Sequence, residues 1–230
     1  MLLDAHGTLV ELEAPVPRLR AALAREGHHH DEGAVAEALA AEVRHYRRHM
    51  DLGRDAPSLA ALRLECAEVL AAALGGRAPA PARTAELLVD SLRFRLFPDA
   101  LPALDALRGA GVALAVVSNW DHGLEEVLAH LGVADRFDAV VASATAGVAK
   151  PDPAIFHVAL ARLGVPAGRA LHCGDLPAKD CLGARSAGLR AVLIDRGAGG
   201  AGGPCPRVTS LVDLARMVLG DDMRKRVPGG

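Results

Sequence analysis

The chain opens on Met1-Leu2-Leu3-Asp4-Ala5-His6-Gly7-Thr8-Leu9, a short apolar strand that runs into an acid and then into a turn of small residues. In an open α/β sheet, ligands gather at the carboxyl ends of the strands, where strand ends and helix starts expose unpaired backbone N–H groups. Asp4 is therefore a candidate nucleophile or metal ligand. Taken alone, the stretch is better explained by an Asp that caps its own turn, so the weight falls on the residues at the other strand ends. Only three residues precede Asp4. The first strand is either a stunted central strand or one whose start lies upstream.

The rest of the composition sets the class. With 230 residues, 51% hydrophobic and 23% charged, the chain is long enough for one sizeable core and a smaller appendage. A formal net charge of -2 gives no global bias toward nucleic acid or a membrane surface. No run approaches the roughly 20 apolar residues of a membrane helix, and the chain begins on a strand rather than on a basic segment, so a cytoplasmic protein is expected. Cys66, Cys173, Cys181 and Cys205 show no CxxC or zinc-like spacing and are expected to be reduced thiols. Lys occurs only at 150, 179 and 225, among 26 Lys and Arg in all; Asn occurs only at 119, and Gln is absent. In that background a Lys or an Asn at a strand end asks for a specific reason.

From Leu9 to about Leu96 the apolar residues return every three or four positions, which predicts helices over 16–26, 33–50, 58–74 and 83–94. This block reads as a small helical bundle inserted after the first strand. From Phe97 the pattern changes to strands alternating with helices, the signature of right-handed βαβ units and a parallel sheet. Strands are expected at 112–117, 139–142, 170–173 and 191–194, with helices near 99–110, 121–131, 152–164, 178–187 and 209–219. With Met1–Leu3 that makes a five-stranded parallel, Rossmann-like sheet flanked by helices. The polar tail 221–230 is expected to fray.

The strand ends carry, in order, Asp4, then Ser118-Asn119, then the loop leading to Lys150, then Gly174-Asp175 with Asp180 five residues on. In a parallel sheet these ends lie along one edge, so the groups converge although they are scattered in sequence. Three carboxylates, Asp4, Asp175 and Asp180, suit Mg²⁺. Ser118, Asn119, Lys150 and loop N–H groups suit an anion such as phosphate. A carboxylate beside both can attack phosphorus and form an aspartyl-phosphate.

With those residues in place, the chain resembles the haloacid dehalogenase-like hydrolase superfamily, in the branch whose helical cap is inserted after the first motif. The resemblance spans nearly the whole chain: Asp4-Ala5-His6-Gly7-Thr8-Leu9 is similar to the first motif, Ser118-Asn119 to the second, Lys150-Pro151 to the third, and Gly174-Asp175 through Asp180 to the fourth. It implies a catalytic core from residues 1–13 and 97–230 and a helical cap from 14–96. It further implies that Asp4 is the nucleophile, that Ser118 and Lys150 hold the phosphoryl group, and that Mg²⁺ is bound by Asp4, the backbone carbonyl of His6, Asp175 and Asp180. The expected activity is a Mg²⁺-dependent phosphatase acting on a small soluble phosphate ester, as a monomer or homodimer.

The departure is at His6, where family phosphatases carry a second Asp as acid and base and the dehalogenases an aromatic residue. An imidazole, with an ordinary pKa of about 6.5, can carry a proton in both directions, which places His6 among the catalytic candidates. Two other readings stay open: a 2-haloacid dehalogenase, and a weak or inactive phosphate-binding relative. Other signals are discounted. Gly197 to Gly202 fits GxGxxG but is followed by Gly203-Pro204 where a helix should open, and so reads as a loop. His28-His29-His30 and the His45/His49 pair read as solvated faces, the latter crowded by Arg44, Arg47 and Arg48. Trp120 either lines the pocket or packs beneath the cap.

Overall fold

The computed structural model describes residues 1–197 and 203–226, the side chains of 221–226 excepted. In chain order its elements are β1 (Leu2–Leu3), β2 (Val10–Leu12), α1 (Pro15–Arg25), α2 (Glu32–His49), α3 (Ala56–Ala73), α4 (Pro81–Ser91), β3 (Phe94–Leu96) and α5 (Ala100–Gly109). Next come β4 (Ala115–Ser118), α6 (Leu124–His130), β5 (Ala139–Ala142), α7 (Ser143–Ala146), α8 (Pro153–Leu163), β6 (Leu171–Gly174), α9 (Gly183–Ser186), β7 (Arg190–Ile194), β8 (Arg207–Val208) and α10 (Leu211–Arg226).

The main sheet is parallel, with the strand order β5-β4-β1-β6-β7-β8. It has six strands, not the five expected: β8 is two residues long, too short to show an apolar period. The chain builds β4 and β5 on one side of β1, then crosses to build β6, β7 and β8 on the other. That reversal beside β1 is the topological switch point at which open α/β sheets bind ligands. β1 survives at two residues because both its edges are paired: Leu3 is in register with Val116 on one side and Cys173 on the other. The strands are nearly all buried apolar residues, as burial on both faces requires. One face packs against α8, where Phe156 is fully buried among Leu2, Val117, Val141 and Ile155.

Two further differences are local. A second sheet of β2 and β3 occupies residues read as loop and helix end; three-residue strands give no usable period. The expected strand 112–117 begins only at Ala115, after a turn through Gly111. The last helix continues to Arg226 instead of ending at 219, while 227–230 and 198–202 of the glycine-rich run lie outside the described residues.

Two compact units divide the chain: Met1–Glu11, Leu96–Asn119 and Gly123–Gly230 in one, Leu12–Arg95 with Trp120–His122 in the other. The second unit is built on α1 to α4, each packed on its neighbours around Leu19, Leu23, Leu39, Leu62, Leu70 and Leu88. Side chains set the starts of α2 and α3: Asp31 accepts from the Ala34 N–H at 2.7 Å, and Asp55 and Ser58 cap each other's backbone. Each such cap is worth about 1 kcal/mol. Trp120 belongs to this unit, its ring 5.1 Å from that of Phe94. Asp121 accepts a hydrogen bond from Tyr46 Oη at 2.8 Å. No described helix is long and apolar enough to cross a membrane.

The cysteines depart from expectation. Cys181 and Cys205 form a disulfide, with Cα atoms 6.1 Å apart, within the range a bridge spans. The two lie 24 residues apart, and their approach through space leaves no mark in spacing. Cys66 and Cys173 are free and buried.

Candidate functional site

The first unit brings Asp4, Ser118, Lys150, Asp175 and Asp180 together. Asp4 leaves β1, Ser118 ends β4, and Asp175 comes directly after β6, three adjacent strands of one sheet. The Ser118 hydroxyl donates to Asp4 Oδ1 at 2.9 Å, and Lys150 Nζ donates to the same oxygen at 2.7 Å and to Asp180 Oδ1 at 2.6 Å. All four groups are buried. Burial alone would push the Lys150 pKa down, but the carboxylates of Asp4 and Asp180 outweigh it and hold the pKa above the ordinary lysine value. Lys150 is thus a fixed cation between two acids. Burial would likewise raise Asp180, and Lys150 and His172 outweigh it, holding that carboxyl well below the usual range.

Two turns allow this crowding. Gly7 has φ of +80°, which side-chain-bearing residues rarely adopt, and a Cβ there would lie 2.4 Å from Asp175 Oδ2. A Cβ on Gly174 would lie 2.2 Å from Asp180 Cγ. The next turn, Pro177–Leu182, is wound as a π-helix, a rare form that is frequent at functional sites. It carries Asp180 back over the strand end, and the Leu176 N–H donates to Asp180 Oδ2 at 2.9 Å.

Asn119 holds the lysine. Its side-chain amide donates to the Lys150 carbonyl at 2.9 Å and accepts from the Lys150 N–H at 2.7 Å. Both ends of the side chain are engaged with that one residue's backbone, so Asn119 positions Lys150. His6 lies in the turn after Asp4 with its side chain exposed.

The acids fit a hard divalent cation. Asp4, Asp175 and Asp180 each offer a carboxylate oxygen, and these atoms lie within 4.8 Å of one another; among the described residues no other cluster of His, Cys, Asp and Glu meets that condition. Asp175 Oδ1 is buried and has no hydrogen-bond partner among the described residues. Burial, then Asp4 and Asp180, push the Asp175 pKa up to about 6. An uncompensated buried carboxylate oxygen is costly, and a bound cation supplies what it lacks.

Two functional residues escaped the sequence reading. His172, within β6, donates from Nε2 to Asp180 Oδ1 at 2.9 Å; the available signal is a polar residue inside the otherwise apolar run 170–173. Arg196 donates to the Thr8 carbonyl at 2.7 Å, pairs with Asp99 and lies 3.7 Å over the Phe97 ring. It pins the loop after Asp4. The strand-end rule, carried on to β7, points to it.

The sequence model for the family described as haloacid dehalogenase-like hydrolase matches residues 1–188. A phosphoserine phosphatase of Thermus thermophilus is 42% identical over 123 residues, 51% of this chain and 49% of that one. The chain thus matches about half the length of that relative. Among solved structures, a phosphatase of the same family from Thermococcus onnurineus has a TM-score of 0.66 at 25% identity, covering 95% of this chain and 96% of that one. A 2-haloacid dehalogenase from Pseudomonas syringae has a TM-score of 0.65, also at 25% identity, covering 95% and 97%.

Proposed function

Because the chain belongs to the haloacid dehalogenase-like hydrolases, we propose that it is a Mg²⁺-dependent phosphatase that cleaves a small phosphate ester through an aspartyl-phosphate on Asp4. One observation carries the reading: the buried Lys150 ammonium lies against Asp4 and Asp180 while Asp175 Oδ1, the third acid, has no partner among the described residues. That is a donor set for one cation and one phosphoryl group. The phosphoserine phosphatase relative supports the same chemistry.

In this account Asp4 attacks phosphorus, and the alcohol leaves with a proton. Ser118 and Lys150, both within hydrogen-bond reach of Asp4, hold the phosphoryl oxygens in line. Asn119 keeps Lys150 in place. His6 gives the proton to the leaving group and takes one from the water that hydrolyses the acyl-phosphate. Asp4, the His6 carbonyl, Asp175 and Asp180 would hold Mg²⁺, which would supply positive charge against the phosphoryl group. We take the inserted helical unit to be the cap that selects the substrate.

The dehalogenase reading keeps one supporting observation, the Pseudomonas neighbour, but dehalogenation needs no metal, and the Asp175 and Asp180 pair argues against it. The deciding experiment is a panel of phosphate esters and 2-haloacids with and without Mg²⁺, with Asp4→Asn as the blank. Mg²⁺-dependent phosphate release is expected. Chloride release without metal overturns the phosphatase reading, and binding of Mg²⁺ and phosphate mimics without turnover points to an inactive relative.

A further inference from the structure

His172 sits beneath the site rather than in it. Its imidazole is fully buried, with Nε2 2.9 Å from Asp180 Oδ1 and its ring edge-on to Phe156 at 5.0 Å between centroids. Nδ1 has no hydrogen-bond partner among the described residues. A carboxylate oxygen accepts only, so Nε2 must carry the hydrogen, and the unpartnered Nδ1 is then a bare lone pair. The other neutral tautomer would set two lone pairs against each other at 2.9 Å and bury an orphan N–H. The ring is the neutral Nε2–H form.

That N–H closes a continuous chain: His172 Nε2 to Asp180 Oδ1, Asp180 Oδ1 to Lys150 Nζ, Lys150 Nζ to Asp4 Oδ1, and Asp4 Oδ1 to Ser118 Oγ. Asp180 Oδ1 therefore has two donors on opposite duties. Lys150 links it to the nucleophile, and His172 anchors it to the sheet. With His172 absent, only Lys150 would hold that oxygen and only the Leu176 N–H would hold Oδ2, so the carboxylate would shift and draw the ammonium away from Asp4. We propose that His172 is a positioning residue: its Nε2–H fixes Asp180, and through Asp180 it sets both Lys150 against Asp4 and the affinity of the acidic cluster for Mg²⁺. This rests on the metal-dependent reading above, but its test does not need turnover.

Removing outer partners of metal ligands commonly costs about 10- to 100-fold in affinity. Calorimetry with Mg²⁺ alone should find His172→Leu, folded by circular dichroism, bound about 10-fold more weakly, with His172→Gln, which keeps an N–H at a similar reach, within about threefold of the parent. On a phosphate ester, His172→Leu should lower kcat about 10-fold with KM little changed. The ¹⁵N spectrum of the parent protein should show His172 protonated at Nε2 alone. Equal Mg²⁺ affinity in folded His172→Leu, a His172→Gln as weak as His172→Leu, or a proton on Nδ1 overturns the proposal. Should the Leu variant not fold, the parent spectrum decides. Should no ester turn over while Mg²⁺ binding responds as stated, the phosphatase reading fails and this one stands.

Discussion

At the scale of single residues, the site is a balance of buried charge. Among the described residues Lys150 is the one lysine or arginine bonded to both Asp4 and Asp180, and removing one partner of a buried ion network leaves uncompensated charge at a cost of about 3–5 kcal/mol. Lys150→Met should therefore lower the free energy of unfolding by that order in urea titration, as well as abolish turnover. Gly174→Ala tests packing: the added methyl would lie 2.2 Å from Asp180 Cγ, so Mg²⁺ affinity and Tm should both fall, read by calorimetry and by thermal melts. The site acids, Ser118 and Lys150 were legible in the sequence because strand ends are easy to find in apolar runs and the sheet's geometry gathers them. His172 was not, because a residue inside a buried strand reads as core. Nor was the direction of the Asn119 amide, since a turn former and a lysine clamp look alike in one dimension.

At the scale of elements, long helices with capped starts were readable and short strands were not. α2 and α3 begin where Asp31 and Asp55 cap them; β2, β3 and β8, of two or three residues, owe their existence to a neighbour and not to their own pattern. Helix α8 is fixed to the sheet by Phe156, so Phe156→Ala should cost about 3–5 kcal/mol in stability, measured by denaturant unfolding. In α2, Glu42 is 4% exposed; burial raises its pKa above the ordinary 4.5, and the hydrogen bond from the Cys66 thiol only partly opposes that. A raised folded-state pKa means that the stability linked to this group is fully present below about pH 4.5 and is lost as pH rises through the folded value. Glu42→Gln should remove that part of the decline, so its Tm exceeds the parent's at neutral pH and converges with it in acid. Melts across the range check both ends.

At the scale of the whole molecule, the order β5-β4-β1-β6-β7-β8 places a charged cluster at the switch point, and the proposed metal binding would tie that cluster to stability. Burial, then Asp4 and Asp180, push the Asp175 pKa up to about 6 from an ordinary 3.8, so metal-free protein should lose stability as pH rises through that window, and bound Mg²⁺ would offset the burial and repulsion that cause it. The gain in Tm from Mg²⁺ over chelator should widen between about pH 5 and about pH 7.5. The fold class was legible from alternating strands and helices; the disulfide between Cys181 and Cys205 was not, because only the folded path brings the two together. The central claim is that Asp4 itself takes the phosphoryl group, and acid quenching during turnover of a ³²P-labelled ester with Mg²⁺ tests it most directly. Hydroxylamine-labile label on the peptide containing Asp4, absent from Asp4→Asn, is the predicted result; phosphate release with that peptide unlabelled, or undiminished release by Asp4→Asn, would contradict it.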